Sequence, residues 1–399
     1  MKFLPVYFGS VFIFAAVATS ASAATQQLSP VYATSYGVTC NGTTDDTAAM
    51  QAAHNTGRVV IYPAGTCKFS TLTIASGGIV GEGVGAFPGQ PGGTFLLTTD
   101  KGSGNTISYV ADYSTGSSGV FRNFALFPSS GAAQKSGGSG LYISGNVGGD
   151  TRVLHGTLVD GIWITYFPTA LTMANAADWT VANNHFVYYS VAGLVVSNAI
   201  APDQGDSSVY GNTFYNATAA PYGASGTGIL QNNSGGLKIT SNKFNGGANG
   251  YQLNLLAQTS DVLLSNNSFE NISTAAITFT NNTNTASKAV RFTNEKITGN
   301  EFGGNARDIW FQQIANYNNQ SYWDSANIVG NIFYGTTGTS VEMASSRFFT
   351  IASNTFNFVS AAITIDASCD NHALVGINGI FNASTGITNK GPYTTVAPY

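Results

Sequence analysis

Three carboxylates in the last third of the chain, Asp308, Glu342 and Asp366, have the types and spacing for acid–base work on a glycosidic bond. Each sits on a short stretch of alternating apolar residues: Asp308-Ile309-Trp310-Phe311, Ser340-Val341-Glu342-Met343 and Ala362-Ile363-Thr364-Ile365-Asp366. Aligned by their inward apolar residues as neighbouring strands, Asp308 to Glu342 and Glu342 to Asp366 are each one strand over and two residues along. Strands ~4.8 Å apart and a two-residue step of ~6.7 Å put such carboxyl groups about 5 to 10 Å from one another. That range leaves room for a water between an acid and a base. One of the pair must stay protonated to help the leaving oxygen depart. Trp310, Gln312, Tyr322 and Trp323 supply flat or hydrogen-bonding surfaces for sugars, and Arg347 can hold a carboxylate substituent. The chain has only 19 acidic residues in 399, so three on one patch is a concentration.

What positions these residues is a repeat. Asn-x-Phe occurs at Asn184, Asn212, Asn242, Asn267, Asn300, Asn331 and Asn354, with steps of 23 to 33 residues between copies. A period of that size marks stacked units, each unable to bury its apolar face alone. Period-2 alternation turns the Phe inward and the middle residue outward. Asn tolerates the left-handed backbone of a sharp corner, and stacked amides can bond in a ladder. A second strand after each Phe gives an outward column: Thr172, Val195, Leu230, Asn254, Thr278, Trp310, Glu342 and Thr364. The segments 198–208, 281–291 and 312–324, with Asp203, Asp206, Lys288 and Tyr317, are longer than their equivalents and are expected to wall the same side.

Composition limits the alternatives. Charged residues make up 9% and hydrophobic ones 43%, too apolar for disorder. A net charge of −4 offers no basic field, so a nucleic-acid partner is not expected. Residues 1–23 read as a signal peptide, with Lys2, an apolar run from Val6 to Val17 and a cleavage site at Ala21-Ser22-Ala23. The run is too short for a bilayer, and no later stretch approaches the ~20 apolar residues required, so a secreted or periplasmic protein off the membrane is expected. Export permits disulfides. Cys40 and Cys67 are the expected pair and Cys369 a small buried residue. His54, His155, His185 and His372 show no metal-ligand spacing, and no cofactor is expected.

Ahead of the repeat, Asn41 to Ala53 reads as a turn, an acidic cap in which Thr44, Asp45 or Asp46 accepts first-turn N–H groups, and a short helix. Apolar strands follow at Val59-Val60-Ile61, Leu72-Thr73-Ile74 and Ile79-Val80. The order Gly-x-Thr-Asp-Asp-Thr-Ala-Ala, Pro-Ala-Gly-Thr and Val-Gly-Glu-Gly over residues 36–85 resembles the N-terminal cap of the pectate-lyase-like superfamily of right-handed parallel β-helices, which includes tailspikes and polysaccharide-degrading enzymes. The resemblance implies an all-β, single-stranded right-handed parallel β-helix with a short N-terminal capping helix. Its divisions are the cap and first coils at 24–85, the helix at 86–381 and an irregular tail at 382–399. Within 86–160 the Gly-rich sequence obscures the coils. The Arg-x-Pro-x-x-Arg of pectate lyases, the Asn-Thr-Asp, Asp-Asp and Gly-His-Gly set of polygalacturonases and the Tyr-Gly-x-Asp-Pro-His of alginate epimerases are missing, so pectin is not the expected substrate.

The expectation is a polysaccharide hydrolase built on Glu342 with Asp366 or Asp308. One alternative is a lyase acting by β-elimination on a uronic-acid polymer with Tyr322, Lys288 or Arg347 as base. The other is a non-catalytic glycan-binding or surface β-helix.

Overall fold

The computed structural model describes residues 29–85, 92–111, 118–129, 135–145, 154–197, 206–216, 225–232, 235–254, 259–280, 291–314, 322–369, 373–392 and 394–397. Apart from a 3-10 turn at Ala33–Tyr36 and one α-helix at Thr47–His54, its regular structure is all strand. Residues 1–23, read above as a signal peptide, lie outside the described part.

Three long parallel sheets wind around one apolar interior. The first holds fourteen strands from Val31–Tyr32 to Thr394–Val396, the second thirteen from Asn41–Asp45 to Gly379–Phe381, and the third twelve from Leu72–Ile74 to Thr385–Asn389. One coil contributes a strand to each in turn, as Lys238–Thr240, Lys243–Gly246 and Asn249–Asn254 do. A four-stranded parallel sheet (Thr259–Ser260, Arg291–Thr293, Tyr322–Asp324, Ser346–Arg347) is inserted in the later coils. The Gly-rich region after residue 92 is already coiled, with Thr94–Thr98 pairing onto Gly65–Phe69. Beyond Asn382, where an irregular tail was expected, Thr385–Asn389 and Thr394–Val396 add a further turn to the third and first sheets.

The repeat supplies two buried ladders. Phe186, Phe214, Phe244, Phe269, Phe302, Phe333 and Phe356 pair in register, with consecutive centroids 5.2, 4.8, 4.6, 5.2, 4.8 and 4.6 Å apart. Each ladder Asn after Asn184 accepts on Oδ1 from the backbone N–H and the amide of the Asn one coil before, and Asn184 accepts from Ile162 N–H. At Asn242 and Asn267 these distances are 2.9 and 3.0 Å. The Nδ2 of Asn267 also donates to Ile239 O at 2.9 Å, so the amide satisfies backbone groups that no sheet reaches. Asn378, outside the Asn-x-Phe pattern, takes the next rung by accepting from Asn354.

The left-handed residue is not the ladder Asn, as the sequence suggested, but the one before it: Asn183, Gly211, Ser241, Asn266, Gly299, Gly330 and Ser353 all have positive φ. That residue turns the chain, which frees the next amide to point inward and bond along the stack.

At the N-terminal end Cys40 and Cys67 are disulfide-bonded. Asp45 Oδ1 accepts from Thr47 N, the first helical residue, at 3.0 Å. Asp46 instead ties the cap to the preceding loop through Thr39 N and Cys40 N, at 2.9 and 3.0 Å. Cys369 is buried, its Sγ bonded to Met343 O.

Candidate functional site

The register of the third sheet fixes its outer face. Tyr142, Thr172, Val195, Leu230, Gln252, Thr278, Trp310, Glu342, Thr364 and Thr388 are cross-strand partners in sequence. Gln252 therefore takes the column position assigned above to Asn254. Asn254 lies two residues along, opposite Asn232. These amides are interconnected: Gln252 Nε2 donates to Asn254 Oδ1 at 2.7 Å, Asn254 Nδ2 to Asn232 Oδ1 at 3.1 Å, and Asn249 Nδ2 to Gln252 Oε1 at 3.1 Å.

Past this band the face becomes charged. Arg307, at the corner before the strand Ile309–Phe311, places its guanidinium carbon 4.5 Å from the centre of the Trp310 ring. Its Nε donates to Glu342 Oε2 at 3.2 Å, with both side chains open to solvent by a third or so (40% and 30%). One strand further, Asp366 Oδ1 accepts from Ser368 N at 2.8 Å. Hydrogen bonds from Ser368, backbone then side chain, and the nearby Lys390 hold the Asp366 carboxyl below its ordinary range, so it stays ionised. Gln312 Oε1 accepts from Thr280 at 2.9 Å beside this patch.

Asp308 does not join the outer face. Its side chain is fully buried (0% exposed). By register it occupies a column of small residues: Gly228, Gly250, Ala276, Asp308, Ser340 and Ala362. A Cβ built on Gly228 or Gly250 would meet Phe244 or Phe269 at 2.6 and 2.5 Å, so this column is pressed against the Phe ladder. Strand alternation fails at this position from coil to coil: in Asn249–Asn254, Thr339–Met343 and Ala361–Ile365 the second and third residues are both buried. Asp308 is held by Asn305 Nδ2 at 2.9 Å and by the Thr336 hydroxyl, which in turn accepts from Ser340. Burial raises its pKa to about 7, against the lowering effect of those bonds.

Two other expectations are corrected. Trp323 is fully buried, edge-on to Phe279 and Phe311, with its indole N–H bonded to Gln312 O at 2.9 Å. It cannot be a sugar platform, because the small inserted sheet turns it into the interior. Arg347 pairs with Asp324 through both Nε and Nη2, the latter at 2.7 Å, so its fork is already filled. Tyr322 opens the strand Tyr322–Asp324, but its side chain lies outside the described residues, as do Asp203, Lys288, Tyr317 and most of the three longer segments. Among the described residues no three His, Cys, Asp or Glu gather closely enough to hold a metal ion.

Sequence reasoning missed a second surface. On the outer face of the second sheet, in the early coils, Trp163, Tyr166, His185, Tyr188 and Tyr215 line a groove of about 630 Å³. The signal was present: Trp163 and His185 fill the variable slot of the repeat, and Tyr166 and Tyr188 follow it.

The family model described as right handed beta helix region matches residues 164–322. No curated protein matches the chain by sequence. Among solved structures, the catalytic unit of a thermostable alpha-1,3-glucanase from Streptomyces thermodiastaticus superposes with a TM-score of 0.59 at 13% identity, over 94% of this chain and 70% of that one. The A-module of a mannuronan C-5 epimerase from Azotobacter vinelandii gives 0.51 at 15% identity, over 92% and 100%. A surface adhesin of Streptococcus pneumoniae gives 0.51 at 12%, over 92% and 100%. A hydrolase, an epimerase and an adhesin on one scaffold show that the likeness carries architecture and not activity. On that likeness and its own sheet topology, the chain is a right-handed parallel β-helix.

Proposed function

We propose that the protein cleaves a polysaccharide laid across the outer face of the third sheet, by hydrolysis, with Glu342 as acid and Asp366 as base. The observation that carries this reading is the contact set of Arg307, Trp310 and Glu342. Arg307 covers the indole and neutralises the carboxylate at once. A sugar ring stacking on Trp310 takes the place of the guanidinium and separates the ion pair. A carboxylate stripped of its cation and its water takes up a proton more readily, as a general acid requires. Asp366, kept ionised by Ser368, suits the opposite role of drawing a proton from water. One strand over and two residues along, the pair sits about 8 Å apart between backbones, within reach of the two sides of one glycosidic bond. The amide band of Gln252, Asn254 and Asn232 offers hydrogen bonds to the neighbouring sugars. In this reading residues 1–23 direct export to where such polymers are found.

The lyase alternative is weakened by the occupied Arg347. Binding without cleavage is the second reading, favoured by the ion pair and amide band being satisfied among themselves. Incubation with a panel of bacterial and plant polysaccharides separates all three. Hydrolysis releases reducing ends without ultraviolet absorbance, elimination produces both, and binding alone shortens nothing.

A further inference from the structure

The groove on the second sheet belongs to a different face from the carboxylates, and its construction is independent of them. Trp163 and His185 stack obliquely at 5.3 Å between ring centres. Tyr166 and Tyr188 lie parallel at 5.2 Å with a 12° interplanar angle, and Tyr215 meets Tyr188 edge-on at 5.8 Å. The two stacked tyrosines stand in left-handed backbone, with φ of 67° and 54°. Other coils place Gly246, Asn271, Gly304, Gly335 and Asn382 at this same corner, also with positive φ, and Phe358 is the other large side chain there. The turn therefore works with Gly or Asn. A bulky residue in that conformation costs on the order of 1–3 kcal/mol, a strain that persists where a site needs the side chain.

Among the described residues the lining has no Lys, Arg, Asp or Glu. Burial lowers the pKa of His185, which keeps the imidazole neutral at pH 7. Its side-chain polar groups are hydroxyls, the imidazole and the Trp163 indole N–H, interleaved with flat rings, and its volume suits a small-molecule ligand rather than a protein core. Rings to stack on apolar sugar faces, hydroxyls at their edges and no fixed charge fit one chemistry. We propose that this groove is a separate, non-catalytic carbohydrate site that holds an uncharged oligosaccharide chain.

Affinity electrophoresis through gels containing soluble α-glucan, β-glucan, xylan or galactomannan tests it, run in the Glu342→Gln background so that no polymer is cut. Retardation by at least one of these neutral polymers is expected, and Tyr166→Gly/Tyr188→Asn should weaken it tenfold or more. Because both substitutions relieve left-handed strain, the doubly substituted protein should melt at or above the parent temperature, so lost binding cannot be laid to unfolding. Absence of retardation by all four polymers, or equal retardation of both proteins, overturns the proposal. So does sedimentation showing a dimer that the double substitution dissolves, since the groove would then be covered by a second copy.

Discussion

The Nε of Arg307 lies 3.2 Å from Oε2 of Glu342, and the same guanidinium rests on the Trp310 ring. Two properties of the site thus depend on one side chain: access to the aromatic surface and the pairing of the carboxyl. A sugar ring that stacks on Trp310 must first displace the guanidinium. Arg307→Ala removes that competitor. KM for the polymer should then fall severalfold. An unchanged KM would separate Arg307 from the polymer-binding face.

Two buried carboxyls should make the fold less stable as pH rises. Burial raises the pKa of Asp308 to about 7 and that of Glu295 to about 8, the latter with Asp324 and Asp261 adding to the effect. Their ordinary values are 3.8 and 4.5, so between those and the folded values the native state binds more protons than the unfolded one. Stability therefore falls with rising pH across that window and levels off above about pH 8. Melting scans should show a lower midpoint at pH 8 than at pH 5 (roughly 2–4 °C for each kcal/mol in a domain of about 150–250 residues, and less in a longer chain). Glu295→Gln should flatten the dependence, and an unchanged slope would contradict the assignment.

The corner finding yields opposite outcomes at adjacent positions. Asn267→Ala strips the partner from the Asn242 N–H and from Ile239 O, and should cost about 3 kcal/mol or more. Ser241→Gly, at the left-handed residue just before a ladder Asn, should be neutral or stabilising by up to about 1 kcal/mol. Denaturant midpoints of the two variants decide this. A Ser241→Gly change that destabilises as much as Asn267→Ala would contradict this account of the corner.

Asp308 was the sequence's error at the site, and it gives its own check. Asp308→Asn keeps an acceptor for Asn305 and should leave any polymer cleavage within about twofold of wild type, because the group faces the Phe ladder. A loss of activity with the fold intact would return Asp308 to the chemistry.

How far the chain could be read from its letters follows the geometry of the coil. Where a residue lies in the middle of a strand, alternation decides its direction, and Thr172, Val195, Leu230, Thr278, Trp310, Glu342 and Thr364 fall in one register. Gln252 was displaced to Asn254 because the two share one face of the strand Asn249–Asn254, so a slip of two residues leaves the alternation intact. Near the start of these strands two successive residues turn inward, so strict alternation turned Asp308 outward, and Trp323, carried in by an extra small sheet, was given to the solvent. The groove of Trp163 and Tyr188 carries no charged side chain among its described residues, and its signal in the sequence is bulk at positions where other coils have Gly or Asn.

The most direct measurement is reducing-end release by Glu342→Gln from whichever polysaccharide the wild-type protein shortens, with melting temperature recorded in parallel. Loss of about 10²–10⁴-fold in rate at an unchanged melting temperature is the predicted result. Retention of activity within about twofold, in a protein folded as the wild type, would contradict the assignment of Glu342 and with it the proposed hydrolysis.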